Sequence, residues 1–258
     1  MKYLLPLLIG LAAPLQALQP EDFAGADIVI LGEVHDNPAH HARQAQAVAL
    51  ISPSAVVWEM MSPEQAALVD PALAADAQGE ALEWADSGWP EFAMYHPIIA
   101  SAPGAAHYGA AVPRAQFMKV IEGDLSQVFT EPKLYGLDAD LPSDEQAARN
   151  QLQFDAHCEM LPPDAIPGMV NVQRLRDASF AQAAITAWRE TGGPVVIITG
   201  NGHARADWGI PRFLERAAPD AQVVTLGQGE GEVMPEGGFD ILRTSPPVER
   251  PDPCDAFR

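Results

Sequence analysis

The sequence predicts an α/β fold: a single domain with a largely parallel β-sheet flanked by helices. Three observations carry that expectation. The β-branched runs D-I-V-I-L-G at 27–32 and P-V-V-I-I-T at 194–199 are too continuously apolar for strands with one wet face, so both faces must be covered. Such runs alternate with longer segments of helical periodicity, the pattern of β-α-β units. No internal repeat or low-complexity linker interrupts the 258 residues, which at 48% apolar suffice for one filled core.

In chain order, the strand at 27–32 is followed by Asn37-Pro38, a cap with proline at the first helical position, and a helix to about Ile51. A second strand, A-V-V-W-E-M from Ala55, is expected as a parallel neighbour of the first, joined by a right-handed crossover. Helix is expected around P-E-Q-A-A-L-V and A-L-E-W-A-D, with S-G-W-P-E-F-A-M-Y-H-P as a break. Strands are expected at 105–108 and 134–138, and helices over 142–161 and 170–190, where apolar residues recur at three and four. After the strong strand at 194–199, P-R-F-L-E-R reads as helix and Q-V-V-T-L as strand.

With 15 Lys plus Arg against 35 Asp plus Glu, the formal charge is -20, so attraction to a phosphate backbone cannot drive binding and no nucleic-acid partner is expected. Lys2 followed by an apolar stretch broken by Pro6 and Pro14 and closed by Ala17 is secretory-signal grammar. The chain therefore divides into a signal peptide at 1–17, one domain at 18–245 and a Pro-rich tail at 246–258. No later window is apolar enough for a transmembrane segment, and no cysteine near the cut offers a lipid anchor. An exported protein follows, periplasmic in a Gram-negative source and not a lipoprotein. In an oxidising compartment the two cysteines, Cys158 and Cys254, are expected to form a disulfide. They offer no C-x-x-C for a zinc ribbon or a redox pair.

In open parallel sheets, ligands bind beyond the carboxyl ends of the strands. Three strands here end in polar groups: the first in Gly32, Glu33, His35 and Asp36, the second in Glu59, the third in Gly200, Asn201, Gly202 and His203. Adjacent strands would gather Glu33, His35, Glu59 and His203 at one edge. Two carboxylates there need a proton, a cation or an arginine such as Arg205. Of His40 and His41, pointing about 100° apart on a helix, at most one faces that site, leaving the other for the surface. Arg176 and Asp177 read as partners for nearby charges.

The blocks L-G-E-V-H-D-N-P-x-H-H-x-x-Q-A at 31–45, V-W-E-M at 57–60, W-x-x-S-G-W-P-x-F-x-x-Y-x-P-I at 84–98, A-H-C-E-M-L-P at 156–162, Q-R-L-R-D-A at 173–178 and G-N-G-H-A-R-A-D-W-G-I-P at 200–211 resemble the ChaN-like haem-binding uptake family of the Tiki superfamily. The two G-x-x-H motifs, Gly32 to His35 and Gly200 to His203, lie within that resemblance, which covers nearly the whole expected mature chain. It implies an α/β haem-binding lipoprotein of iron uptake that forms a homodimer around cofacial haems. The absent lipobox cysteine departs from that pattern.

Two functions follow. A haem-binding protein needs an apolar cleft and an axial donor. The segment at 84–98 supplies Trp89, Tyr95 and His96, with Tyr95 the preferred donor and Tyr108 and His157 in reserve. A metal-dependent hydrolase would instead hold a divalent metal ion through His35, His203 and a carboxylate, with Glu33 or Glu59 as general base. No H-E-x-x-H, G-x-S-x-G or phosphate-cradling loop is present.

Overall fold

The computed structural model describes residues 17–257 apart from 122 and 124. The expected signal peptide lies, except for its last residue, outside the described residues. Six parallel strands form one sheet: β1 (Ile28–Glu33), β2 (Ala55–Trp58), β3 (Ala106–Gly109), β4 (Val195–Gly200), β5 (Val223–Glu230) and β6 (Ile241–Ser245), in the order β3-β2-β4-β1-β5-β6. The helices are α1 (Pro38–Ile51), α2 (Pro63–Ala66), α3 (Ala75–Ala81), α4 (Phe92–Ala100) and α5 (Arg114–Ile121) in the first half. The second half adds α6 (Leu125–Val128), α7 (Ser143–Ala156), α8 (Ile166–Thr191), α9 (Asn201–Ala204) and α10 (Ile210–Ala217).

β1 and β4 are buried along their whole length because helices cover both faces, as their unbroken apolar runs require. Ile28 and Ile30 face one core with Phe180 of α8 and Leu214 of α10; Val29 and Leu31 face the other with Trp58, Tyr95 and Ile98.

β1 and β2 are parallel, as expected, but not neighbours: β4 is inserted between them. The chain leaves β1 toward one edge of the sheet and leaves β4 toward the other, so a crevice opens beyond the carboxyl ends of β1 and β4. Residues 134–138 form no strand. They lie in a run of turns in which Leu137 N donates to Pro132 O at 2.7 Å and Gly136 takes φ +68°, and their apolar spacing serves to bury Tyr135 and Leu137. The break expected near residue 92 is the start of α4, whereas A-L-E-W-A-D ends in a short 3-10 turn. The helix expected to reach Leu161 stops at Ala156, and Cys158 and Glu159 follow with positive φ. Edge strand β6 follows a Gly-Gly pair and precedes two prolines, so turn signals mask it in the sequence.

Cys158 and Cys254 are disulfide-bonded, with Cα atoms 5.4 Å apart. Arg250 pins the same tail a second time, bridging Asp36 at 2.7 Å and Glu230 at 2.7 Å.

Candidate functional site at the switch-point crevice

Glu59 follows β2 directly, with its carboxylate under the end of β4. Its Oε2 accepts from the Thr199 hydroxyl at 2.6 Å and the Gly200 amide at 2.7 Å, and its Oε1 accepts from Arg176 of α8. The same Oε1 is faced by His35 Nε2 at 3.8 Å and His203 Nε2 at 3.7 Å. Each imidazole is fixed from behind: His35 Nδ1 donates to Glu33 at 2.7 Å, and His203 Nδ1 to Asp177 at 2.6 Å. A carboxylate behind a ring fixes its orientation and leaves Nε2 to act. The four strand-end residues therefore converge as their sequence positions predict.

The motif glycines have a steric reason. A Cβ on Gly200 would lie 2.9 Å from His35 Nε2, and one on Gly32 would lie 2.5 Å from Asn201 Oδ1. Each motif's glycine thus makes room for a residue of the other motif. Asn201, held there, exchanges hydrogen bonds with the Gln228 backbone at 2.7 and 3.0 Å and ties α9 to β5.

Two expectations are corrected. The arginine that accompanies the carboxylates is Arg176; Arg205 instead forms a two-point bridge with Asp207 and stacks 3.7 Å over Trp208. Both helix histidines are buried, so neither is left for the surface. His41 turns toward the centre, with Nδ1 3.3 Å from Glu33 Oε2 and Nε2 donating to the His35 carbonyl, while His40 fastens Val34 and Gly229. Glu33, His35, Glu59 and His203 meet as a network of charges and hydrogen bonds. Among the described residues no group of three or more His, Cys, Asp or Glu is arranged to hold a metal ion. Both oxygens of Glu59 are already engaged and Arg176 neutralises it, which removes its reason to take a cation.

The sequence matches the family described as haem-binding uptake, Tiki superfamily, ChaN, over residues 20–214. The chain belongs to the ChaN haem-binding uptake family. The fold agrees with a solved structure described as cofacial heme binding to ChaN of Campylobacter jejuni, at 18% identity and a TM-score of 0.63, covering 83% of this chain and 86% of that one. It also resembles the type III effector HopBA1, at 13% identity and a TM-score of 0.51, covering 85% and 88%. No curated protein sequence matches the chain.

In this ChaN-family chain the five residues expected around haem do not share one cleft. Tyr95 is fully buried, and its hydroxyl donates to Glu33 at 3.3 Å. Burial, with the Glu33 charge beside it, pushes that phenol well above its ordinary value. His96 Nε2 pairs with the Leu73 carbonyl at 3.0 Å. Tyr108 packs against the opposite core and donates to Glu190, and His157, at the end of α7, bonds the Gln153 carbonyl. Only Trp89 is half-buried and borders the centre, its ring meeting His35 edge-on at 4.8 Å. Beside it, Trp84, Trp89 and Phe92 help line an open groove of about 880 Å³, whose walls also carry Asp76, Glu80, Glu83, Asp86 and Glu91. The groove has an aromatic wall but no imidazole, phenol or thioether among its lining groups.

What sequence reasoning missed was His41 and Tyr95 as props of Glu33, and Asp177 as the anchor of His203. The Q-R-L-R-D block signalled Arg176 and Asp177 as charge partners without saying of what.

Burial alone would lower the His35 imidazole, but its bond to Glu33 and the charge of Glu59 outweigh burial and hold it above 6.5. A group with a raised folded value stabilises fully below its unfolded value, here 6.5, and that contribution is lost as pH rises through the folded value. We therefore expect the haem-free chain to lose stability as the His35 proton leaves above pH 6.5. Histidine NMR titration alongside urea unfolding checks this; a His35 midpoint below 6.5 contradicts it.

Proposed function

We propose that this chain is an exported haem-binding protein of haem or iron uptake, in which His35 would hold the haem iron and Trp89 would border the haem. Family membership supports haem as the ligand, and the signal-like leader supports export. One observation carries the choice of donor. The His35 side chain is 34% exposed, whereas those of His41 and His203 are 1% and 7% exposed, so His35 is the imidazole of the centre nearest to solvent. Its Nδ1 is held by Glu33, and its Nε2, 3.8 Å from Glu59 Oε1, makes no hydrogen bond and would be the atom to hold the iron. Tyr95 serves this reading as a support for Glu33. Bound haem supplies the iron, to which neutral imidazole donates. Because the imidazole must lose its proton first, affinity should rise with pH across the His35 titration.

Hemin titration of the haem-free protein, followed by its absorption band, tests the proposal. Saturable binding is expected, with His35→Ala weakening it by at least about tenfold, a loss of roughly 1.4 kcal/mol. Tyr95→Phe should keep the parent's spectrum. No saturable change in the parent overturns the haem reading. A changed ligand spectrum in Tyr95→Phe with His35→Ala silent moves the iron to Tyr95. Stoichiometric divalent metal in protein that takes no hemin would favour the hydrolase instead.

A further inference from the structure

The turns at 135–142 meet α7, α8 and α10 around a second cavity of about 240 Å³. Arg149, Arg174, Arg212 and Arg216 line it, in a chain with 15 basic residues and a net charge of -20. Such a concentration of guanidinium groups against the protein's overall charge calls for a cause.

Their pairing inside the protein is incomplete. Glu145 bonds both Arg149 and Arg212, Asp140 is the carboxylate among the lining residues and Asp177 acts on Arg149 through its charge, so the four guanidinium groups outnumber the carboxylates around them. Arg174 is 7% exposed and bonds no carboxylate among the described residues; it donates to the carbonyls of Gly136 at 3.0 Å and Ala139 at 2.8 Å and to the Asn171 side chain. Arg149 is 5% exposed, and its buried Nε has no hydrogen-bond partner. Arg216 makes no hydrogen bond or ion pair among the described residues. Its guanidinium instead sits where a Cβ on Gly136 would lie, 2.6 Å from Nη1. Burial lowers both Arg149 and Arg174, and the charge of Arg149 lowers Arg174 further, a strain that a bound anion relieves.

We infer that this cavity is a binding site for a compact dianion, a phosphate group or a short dicarboxylate. A buried donor without an acceptor is costly to the fold, and planar guanidinium forks match the paired oxygens of phosphate and carboxylate. The volume equals that of roughly eight liquid waters, room for a phosphate or a four-carbon diacid but not for a porphyrin. Within the Q-R-L-R-D block, Arg174 serves this site and Arg176 the crevice, so the two sites are tested separately.

Calorimetric titration of the oxidised, haem-free chain with inorganic phosphate, succinate and chloride at fixed ionic strength tests the inference. Saturable binding of phosphate or succinate at one per chain is expected, with no saturation by chloride; which of the two binds identifies the group. Arg216→Gln should weaken it at least tenfold without loss of folding, because that side chain has no partner to lose, and Arg216→Lys should recover part of the loss. Failure of both dianions to saturate, or unchanged affinity in Arg216→Gln, overturns the site.

Discussion

Replacing Glu59 by alanine is expected to destabilise the chain by about 3–5 kcal/mol, the range for breaking a buried ion pair from one side. Glu59 is 2% exposed and receives the Thr199 hydroxyl, the Gly200 amide and Arg176. Removing it strands two buried donors and a guanidinium and leaves no anion between the two facing imidazoles. Burial by itself would raise this carboxyl, but His203, Arg176 and His35 together hold it at about 2, so it is charged wherever the protein works. Its contribution is present above the unfolded value of 4.5 and is lost as pH falls toward 2. In thermal terms the alanine variant should melt roughly 10 °C lower. Glu59→Gln, which keeps one acceptor for Thr199 and Gly200, should recover part of that. Urea unfolding with a loss below about 1 kcal/mol in the alanine variant would show that the network is not the keystone its geometry implies.

The second large effect is expected from the disulfide. Converting Cys158 and Cys254 to serine should cost about 2–4 kcal/mol, because the bridge closes a segment of 96 residues. That segment contains all of α8 together with β4, β5 and β6, so the bond restricts half of the sheet in the unfolded chain. The Arg250 pairs cannot compensate, since they are surface ion pairs worth about 0–1 kcal/mol each. Oxidised and reduced protein compared in urea should show the difference. Coincident midpoints would mean that the tail is attached without constraining the fold.

The sequence alone determined the architecture, because a strand covered on both faces must be apolar without interruption, and the runs ending at Gly32 and Gly200 can satisfy that in few ways. It also determined that Glu33, His35, Glu59 and His203 would meet, since parallel strands deliver their carboxyl ends to one edge. Strand order was beyond it. The contact between β4 and both β1 and β2 joins residues more than a hundred positions apart, and local periodicity does not encode such pairing. The same limit explains the remaining differences. A buried tyrosine and an exposed one share the same letter, so Tyr95 reads as a haem donor until packing turns its hydroxyl onto Glu33. Arg176 and Arg205 are equally plausible partners for Glu59 by chain position, and only the placement of α8 beside β2 selects the first. The four arginines around the 240 Å³ cavity are scattered over 68 positions in sequence, and the packing of α7, α8 and α10 makes them neighbours.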